Sequence, residues 1–143
     1  MSAEPILKGE EVLKLIPQRP PVVMVDALYS VTVDSAETGL DIDPSCIFCR
    51  NGKLSEPGIV EHAAQSAAVF ADYDSYVKGI PPRLGFIAEL KNLEIALLPD
   101  VGKSLRTSLS LLGTAMGMSL MKVEVRCGDD VVAEGQMKIF IKE

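Results

Sequence analysis

The sequence has no tryptophan, a single histidine and only three cysteines among its 143 residues. Three cysteines are too few, and odd in number, for a disulfide framework, so we expect free thiols. No apolar run approaches the roughly 18 residues that a membrane span needs. The first five residues carry an acid and lack the basic region and apolar segment of a secretory signal. We therefore expect a cytoplasmic protein without a membrane contact.

An excess of basic residues is also missing, because 20 acids outweigh 14 bases and give a net charge of -6. Nucleic-acid binding needs a basic surface that neutralises phosphates, so we expect no nucleic-acid partner. Hydrophobic residues make up 48% of the chain and charged residues 24%. This composition and length predict one globular domain over residues 1–143.

Metal and thiol chemistry have few candidate residues. Cys46 and Cys49 have the C-x-x-C spacing, but a zinc site normally has four ligands, and only Cys127 and His62 could complete one. A redox C-x-x-C would open a helix after a strand, whereas residues 50–52 look like a turn. We interpret the spacing as coincidence and the thiols as packing in a loop, and we expect no metal and no cofactor. Cys49 would be a nucleophile only beside a base, and no Cys-His arrangement is visible.

The first half of the chain alternates short elements. Residues 9–16 have apolar positions at helical spacing, and Pro17 ends that pattern. The β-branched run that begins at Val22 predicts a buried strand continuing to residue 33, and residues 38–42 alternate as a half-buried strand does. Prolines and an Asn-Gly pair predict irregular structure over residues 43–57.

A long helix is predicted from Glu56 to about Tyr76, with Ser55 as N-cap and Pro57 in the first turn. Its side chains are apolar nearly all round, and many are alanine. A surface helix shows one apolar stripe, so this helix must be wrapped by other structure.

Strand character dominates after the helix, over residues 84–98, 104–112, 118–126 and 131–141. The short turn-like breaks predict hairpins and an antiparallel meander. The predicted fold class is α+β, with a curled antiparallel sheet wrapped around one long central helix.

Three segments carry a family resemblance. Residues 15–26 resemble the opening L-P-H-R-Y-P-F-L-L-V-D of the 3-hydroxyacyl-acyl-carrier-protein dehydratases, and residues 60–68 resemble their central-helix V-E-A-L-A-Q-A-A. Residues 97–105 resemble the later pattern V-V-P-G-D-x-L. The resemblance covers nearly the whole chain and implies a hotdog fold, a dimer, and lyase activity on acyl thioesters in fatty-acid or polyene synthesis.

The family's acid/base histidine is missing from this sequence. The family carries it in G-H-F-P-G before the helix, and counting back from Glu61 by the same spacing reaches residues 46–52, which contain no histidine. Residues 51–65 are more similar to the partner-type, dehydratase-like subunit of aryl-polyene biosynthesis clusters. That resemblance implies pairing with a complete, histidine-bearing hotdog homologue.

Glu61 matches the family's helix carboxylate, and we expect it to be catalytic. Gln65 lies one helical turn later on the same face, where a hydrogen bond could orient that carboxylate. His62 points about 100° away around the helix. We therefore expect His62 to be a satisfied residue of the core or interface rather than a replacement for the missing acid/base group.

Three functions remain open. The chain could be a dehydratase, or the histidine-lacking subunit of one, with Glu61 contributing across a homodimer or heterodimer interface. It could be an acyl thioesterase in which Glu61 activates water or attacks the thioester. It could also be a non-catalytic scaffold that binds acyl chains or acyl carrier protein. In all three the small-molecule partner is an acyl carrier protein or CoA thioester.

Overall fold

A computed structural model describes residues 4–81 and 85–141 and shows one long helix against a large antiparallel sheet. The predicted first helix is a 3₁₀ helix, Gly9–Lys14. The long helix α1 spans Glu56–Val77, within a residue or two of the predicted range. The strands are β1 Leu7–Lys8, β2 Ala27–Val31, β3 Ser35–Asp41, β4 Cys49–Arg50, β5 Lys53–Leu54, β6 Gly85–Ile95, β7 Ser104–Ala115, β8 Met118–Cys127 and β9 Asp130–Ile141.

Seven strands form the main sheet in the order β1-β2-β3-β7-β8-β9-β6, and β4 and β5 form a separate hairpin. Alternation along β7 shows which face is inside: Leu105, Thr107 and Leu109 are buried, whereas Ser108 and Ser110 are exposed. The buried side chains pack towards α1. The expected curled sheet around a central helix, the hotdog arrangement, is therefore confirmed.

The central helix is buried on several sides, as its composition predicts. Ala63 and Ala67 are almost inaccessible to solvent and let the sheet approach the helix backbone closely. Ser55 occupies the N-cap position, but its side chain makes no capping hydrogen bond. Gly58 marks a close contact, since a Cβ atom there would lie 2.5 Å from Leu54 and 2.7 Å from Phe48. The β4–β5 hairpin and its preceding loop thus pack directly on the first turn of α1.

The prediction of a strand from residue 22 is wrong at its start. Strand β2 begins only at Ala27, and residues 22–25 lie outside the sheet. The reason is that the backbone C=O of Val22 and the backbone N–H of Met24 form hydrogen bonds with a side chain of α1 instead of with a strand, as described below. A β-branched run next to the helix is buried in either case, so its composition did not distinguish the two arrangements.

The predicted meander is correct for β7, β8 and β9 and wrong for β6. Strand β6 pairs with β9 at the far edge of the sheet, so residues 96–103 form a crossover and not a hairpin. Two register shifts interrupt the β6–β9 pairing, between Ile87 and Glu89 and between Lys91 and Glu94. Among the described residues, no strand pairs with the outer side of β6, which is therefore an edge of the main sheet.

The second β6 irregularity requires a glycine in the neighbouring strand. A Cβ atom on Gly135 would lie 2.6 Å from Leu93 Cα and 3.1 Å from Asn92 O. Both of these are backbone atoms, which cannot move aside as the end of a side chain can. The bulged edge strand and Gly135 are therefore one structural unit.

None of the helices in the described part of the chain is both long enough and apolar enough to span a membrane.

Candidate functional site

Glu61 and Gln65 lie one turn apart on the first half of α1 and are hydrogen-bonded. Gln65 Nε2 donates to Glu61 Oε2 at 2.7 Å. Gln65 is buried, whereas Glu61 is only partly covered. The hydrogen bond expected from the four-residue spacing is therefore present. This bond uses only Oε2 of Glu61. The other carboxylate oxygen, Oε1, does not bind Gln65, and the residue is partly exposed.

The amide of Gln65 is fixed in one orientation by the segment of residues 22–24. Its Oε1 accepts the Met24 backbone N–H at 2.7 Å, and its Nε2 donates to Val22 O at 2.8 Å. With the bond to Glu61, both hydrogens of Nε2 are used. Only one assignment of the amide satisfies all three partners, so Glu61 receives a donor that cannot rotate away.

His62 holds the same segment from the adjacent helix position. Its Nδ1 lies 2.6 Å from Met24 O and its Nε2 lies 2.7 Å from Thr107 Oγ1. A carbonyl oxygen only accepts, so Nδ1 carries the proton and Nε2 accepts from the threonine hydroxyl. Burial lowers the pKa of His62 to about 4. The imidazole is neutral, has no free nitrogen and is inaccessible to solvent, which confirms that it is a satisfied core histidine.

Met24 is the residue on which these contacts converge, and sequence reasoning missed it. Its N–H binds Gln65 and its C=O binds His62, so two side chains of α1 replace the sheet partners of this residue. The contacts join positions about forty residues apart, and nothing in the local sequence of residues 22–25 signals them.

A further buried polar pair lies beyond these residues on the helix. Thr38 Oγ1 donates to Ser66 Oγ at 2.8 Å, and both side chains are fully buried. This bond ties α1 to β3 on the face next to His62. It was not expected from the sequence, because a serine in an alanine-rich helix carries no local signal for a partner on a distant strand.

The cysteines of the C-x-x-C segment lie in the loop that packs on the start of α1. Cys46 and Cys49 are partly exposed free thiols, as is Cys127. Burial, followed by a hydrogen bond with Cys46, raises the pKa of Cys49 to about 11. A nucleophilic cysteine needs a lowered pKa or an adjacent base. The sequence-based expectation that Cys49 is not a nucleophile therefore agrees with the structure.

A cavity of about 1020 Å³ lies away from Glu61. Phe70, Tyr73 and Val77 of α1 form part of its lining, together with residues of the β7–β8 hairpin. Phe70 is nine residues after Glu61, which places it about half a turn around the axis and about 13 Å along it. A second cavity, near Lys53 and Cys127, does not include Glu61 either. Glu61, at a partly exposed position, therefore lies outside both of these cavities.

Solved structures share this fold at low sequence identity. The dehydratase heterocomplex ApeI:P from Xenorhabdus doucetiae matches with a TM-score of 0.84 and 16% identity, over 99% of this chain and 93% of that chain. A hypothetical thioesterase with coenzyme A from Streptococcus pneumoniae matches with a TM-score of 0.63 and 9% identity, over 80% and 84%. The E. coli PaaI protein from the phenylacetic acid degradation operon matches with a TM-score of 0.63 and 10% identity, over 79% and 80%.

Sequence comparison gives a more specific assignment than the fold. No curated protein matches the chain. Residues 10–143 match the ApeP-like family, described as ApeP dehydratase, and this range includes the whole of α1 and all of the main sheet except β1. The chain therefore belongs to the ApeP-like family of dehydratases.

Proposed function

We propose that this chain is the histidine-lacking subunit of a hotdog dehydratase that removes water from 3-hydroxyacyl thioesters. Glu61 supplies one acid/base group, and a histidine-bearing hotdog homologue supplies the other. Elimination needs a base for the C2 proton and an acid for the C3 hydroxyl, which leaves as water. The product is an enoyl thioester, and the reaction requires no cofactor.

One observation carries the proposal: Glu61 is held in place and partly exposed, whereas the single histidine of the chain is occupied. Gln65 fixes one oxygen of the Glu61 carboxylate. Both nitrogens of His62 are bonded within the fold. The chain thus presents a positioned carboxylate without an imidazole to act opposite it. A second subunit would provide that imidazole and would also close a pocket over Glu61.

The edge of the sheet supports such pairing. Strand β6 is eleven residues long and forms an outer edge of the main sheet among the described residues. An unpaired edge offers a row of N–H and C=O groups to another strand. The Xenorhabdus doucetiae structure of similar fold is a heterocomplex. We propose that β6 pairs with the homologue, and that the acyl group arrives on acyl carrier protein or CoA.

A second candidate is thioester hydrolysis. Glu61 could activate water or attack the thioester itself, and neither step needs a histidine. The occupied state of His62 is equally compatible with this chemistry. The thioesterase function predicts thioester cleavage by the isolated chain, whereas the dehydratase proposal predicts water loss only in the presence of the homologue.

The test uses the purified chain alone and mixed with the histidine-bearing homologue from the same genome. Each sample receives a 3-hydroxyacyl thioester or a saturated acyl thioester, and water loss and free thiol are measured separately. Glu61→Gln removes the carboxylate while keeping its shape. Glu56→Gln, at an exposed position in the first turn of the same helix, is the matched control for the change in charge.

Water loss that requires both proteins and falls at least about a hundredfold in Glu61→Gln, but not in Glu56→Gln, would support the proposal. Free thiol released by the chain alone would replace it with the thioesterase function. Acyl binding without turnover in any mixture would identify a scaffold. If the mixture of the Glu61→Gln chain with the wild-type homologue kept full dehydratase activity, Glu61 would take no part in the elimination.

A further inference from the structure

Four hydrogen bonds form a relay that crosses the core from strand β7 to Glu61. Thr107 Oγ1 donates to His62 Nε2 at 2.7 Å, and His62 Nδ1 donates to Met24 O at 2.6 Å. The Met24 N–H donates to Gln65 Oε1 at 2.7 Å, and Gln65 Nε2 donates to Glu61 Oε2 at 2.7 Å. The relay therefore connects a buried residue of the sheet with the partly exposed carboxylate.

Met24 is the link whose position depends on both halves of the relay. Residues 22–25 belong to no strand, and the backbone groups of Met24 bond side chains of α1 instead. Its N–H and its C=O belong to different peptide groups, so this link transmits position rather than electronic polarisation. Without the bond to His62 the segment would be free to shift. The amide of Gln65 would follow, because both of its ends are bonded to the same segment.

Burial separates the relay from solvent and from substrate. His62 and Thr107 are inaccessible, and Gln65 and Met24 are nearly so. A buried polar group that loses its partner is not rehydrated unless the core opens. The same burial keeps substrate away from His62. Any effect of this residue on a reaction must therefore act through Glu61.

We propose that His62 is a positioning residue for Glu61 and acts through Met24 and Gln65. This inference rests on the proposed function, in which the Glu61 carboxylate exchanges a proton with an acyl thioester. Thr107 contributes by donating to Nε2, which leaves the single ring proton on Nδ1. A group displaced by about 1 Å from its working geometry can lower a rate by up to about a hundredfold. Since His62 does not touch substrate, its loss should lower kcat and leave KM nearly unchanged.

A neighbouring buried pair provides the matched control. Thr38 lies opposite Thr107 in the register of β3 and β7, and both residues are buried. Thr38 Oγ1 donates at 2.8 Å to Ser66, which lies one turn after His62 on α1. This bond ties the same layer of the sheet to the same helix. Neither Thr38 nor Ser66 takes part in the four bonds of the relay.

The test compares His62→Leu, His62→Asn and Thr38→Val with the wild type. Leucine and asparagine have the same branched shape, but only asparagine places a nitrogen donor near the position of Nδ1. Both leave the same space where the ring was, so the difference between them isolates the hydrogen bond to Met24. Water loss is measured with each chain mixed with the wild-type histidine-bearing homologue.

NMR on the isolated, isotope-labelled full-length chain gives a second readout that needs no turnover. It records the exchange of the Gln65 side-chain amide hydrogens with solvent. In the wild type it also shows which ring nitrogen of His62 carries the proton.

We expect His62→Leu to lower kcat on the order of tenfold, with KM within about twofold of the wild type. His62→Asn should recover most of this loss, and Thr38→Val should stay within about twofold of the wild type in both constants. The Gln65 amide hydrogens should exchange faster in His62→Leu than in the other chains.

Equal kcat in His62→Leu and His62→Asn, or an equal loss in Thr38→Val, would overturn the proposal. Unchanged Gln65 signals in His62→Leu would do the same. If that variant failed to fold, the wild-type ring would still decide, because a proton on Nε2 instead of Nδ1 contradicts the relay. A wild-type mixture that lost no water would remove the proposed function, and the Gln65 signals of the isolated chain would then test the relay by themselves.

Discussion

His62 and Thr107 join the central helix to strand β7 through a 2.7 Å hydrogen bond between Nε2 and Oγ1. The imidazole accepts this bond and donates through Nδ1 to Met24 O. A second proton on the ring would have to sit on Nε2, where the threonine hydroxyl now donates. Protonation would require this hydroxyl to turn and accept instead, in a site that solvent does not reach, so burial favours the neutral form of this histidine.

We expect stability to fall as the pH drops below about 6.5. The unfolded chain takes up a proton on His62 near that pH, whereas burial lowers the pKa in the folded chain to about 4. The contribution of His62 to the free energy of unfolding is therefore complete above the pKa of the unfolded chain. It is lost as the pH falls towards the pKa of the folded chain, by about 2 kcal/mol between pH 7 and 5. Urea unfolding at several pH values measures this. His62→Gln should flatten the curve, and an unchanged slope in that variant would contradict the assignment.

Gln65→Met should destabilise the protein by about 2 kcal/mol or more. The new side chain is similar in size, but it leaves the buried Met24 N–H and the partly buried Val22 C=O without their partners. Gln18→Met is the control, because Gln18 Oε1 is buried and has no hydrogen-bond partner among the described residues. Its replacement should be neutral or slightly stabilising. Equal losses in the two variants by chemical denaturation would mean that the contacts of Gln65 contribute little.

Thr38 and Ser66 should be energetically coupled. Thr38→Val and Ser66→Ala each leave one buried hydroxyl unpaired, at a cost of about 1–3 kcal/mol. The double variant removes both hydroxyls, so its loss should be smaller than the sum of the single losses. A double-mutant cycle measured by urea unfolding should give a coupling energy of about 1 kcal/mol. Strictly additive losses would show that the two hydroxyls do not interact in solution.

Gly135→Ala should cost about 1–3 kcal/mol, because the new methyl group would meet the backbone of Leu93 and Asn92. Gly113→Ala is the control, since nothing lies within 4 Å of its added Cβ atom. That variant should stay within about 0.5 kcal/mol of the wild type. Thermal unfolding compares the two, and an undisturbed Gly135→Ala would mean that β6 shifts easily along the sheet edge.

Local patterns predicted those parts of the fold that depend on local physics. The range of α1 followed from its apolar residues and from Pro57, and the pairing of Glu61 with Gln65 followed from helical spacing. The error at residues 22–25 has a different origin. Their partners are side chains of α1 about forty residues away, and a buried extended segment has the same composition whether a strand or a helix side chain completes its hydrogen bonds.

The same limit applies to the crossover and to the contact between Cys46 and Met24. The turn-like residues around Pro99 and Gly102 suit a hairpin and a crossover equally, and only the order of strands in space separates them. Cys46 and Cys49 are close in the sequence, whereas the 3.8 Å contact of Cys46 Sγ with Met24 Sδ joins residues 22 positions apart. Long-range placement, rather than local preference, decides each of these features.

The interrupted edge of β6 has a consequence for how further strands can add to the sheet. Indiscriminate stacking into fibrils requires long, flat, regular edges, and the two register shifts break this edge into short stretches. Open-ended addition of further copies of the chain along this edge is therefore disfavoured. A strand that joins this edge must follow the same interruptions. The irregularity therefore favours a strand with matching breaks over a regular strand.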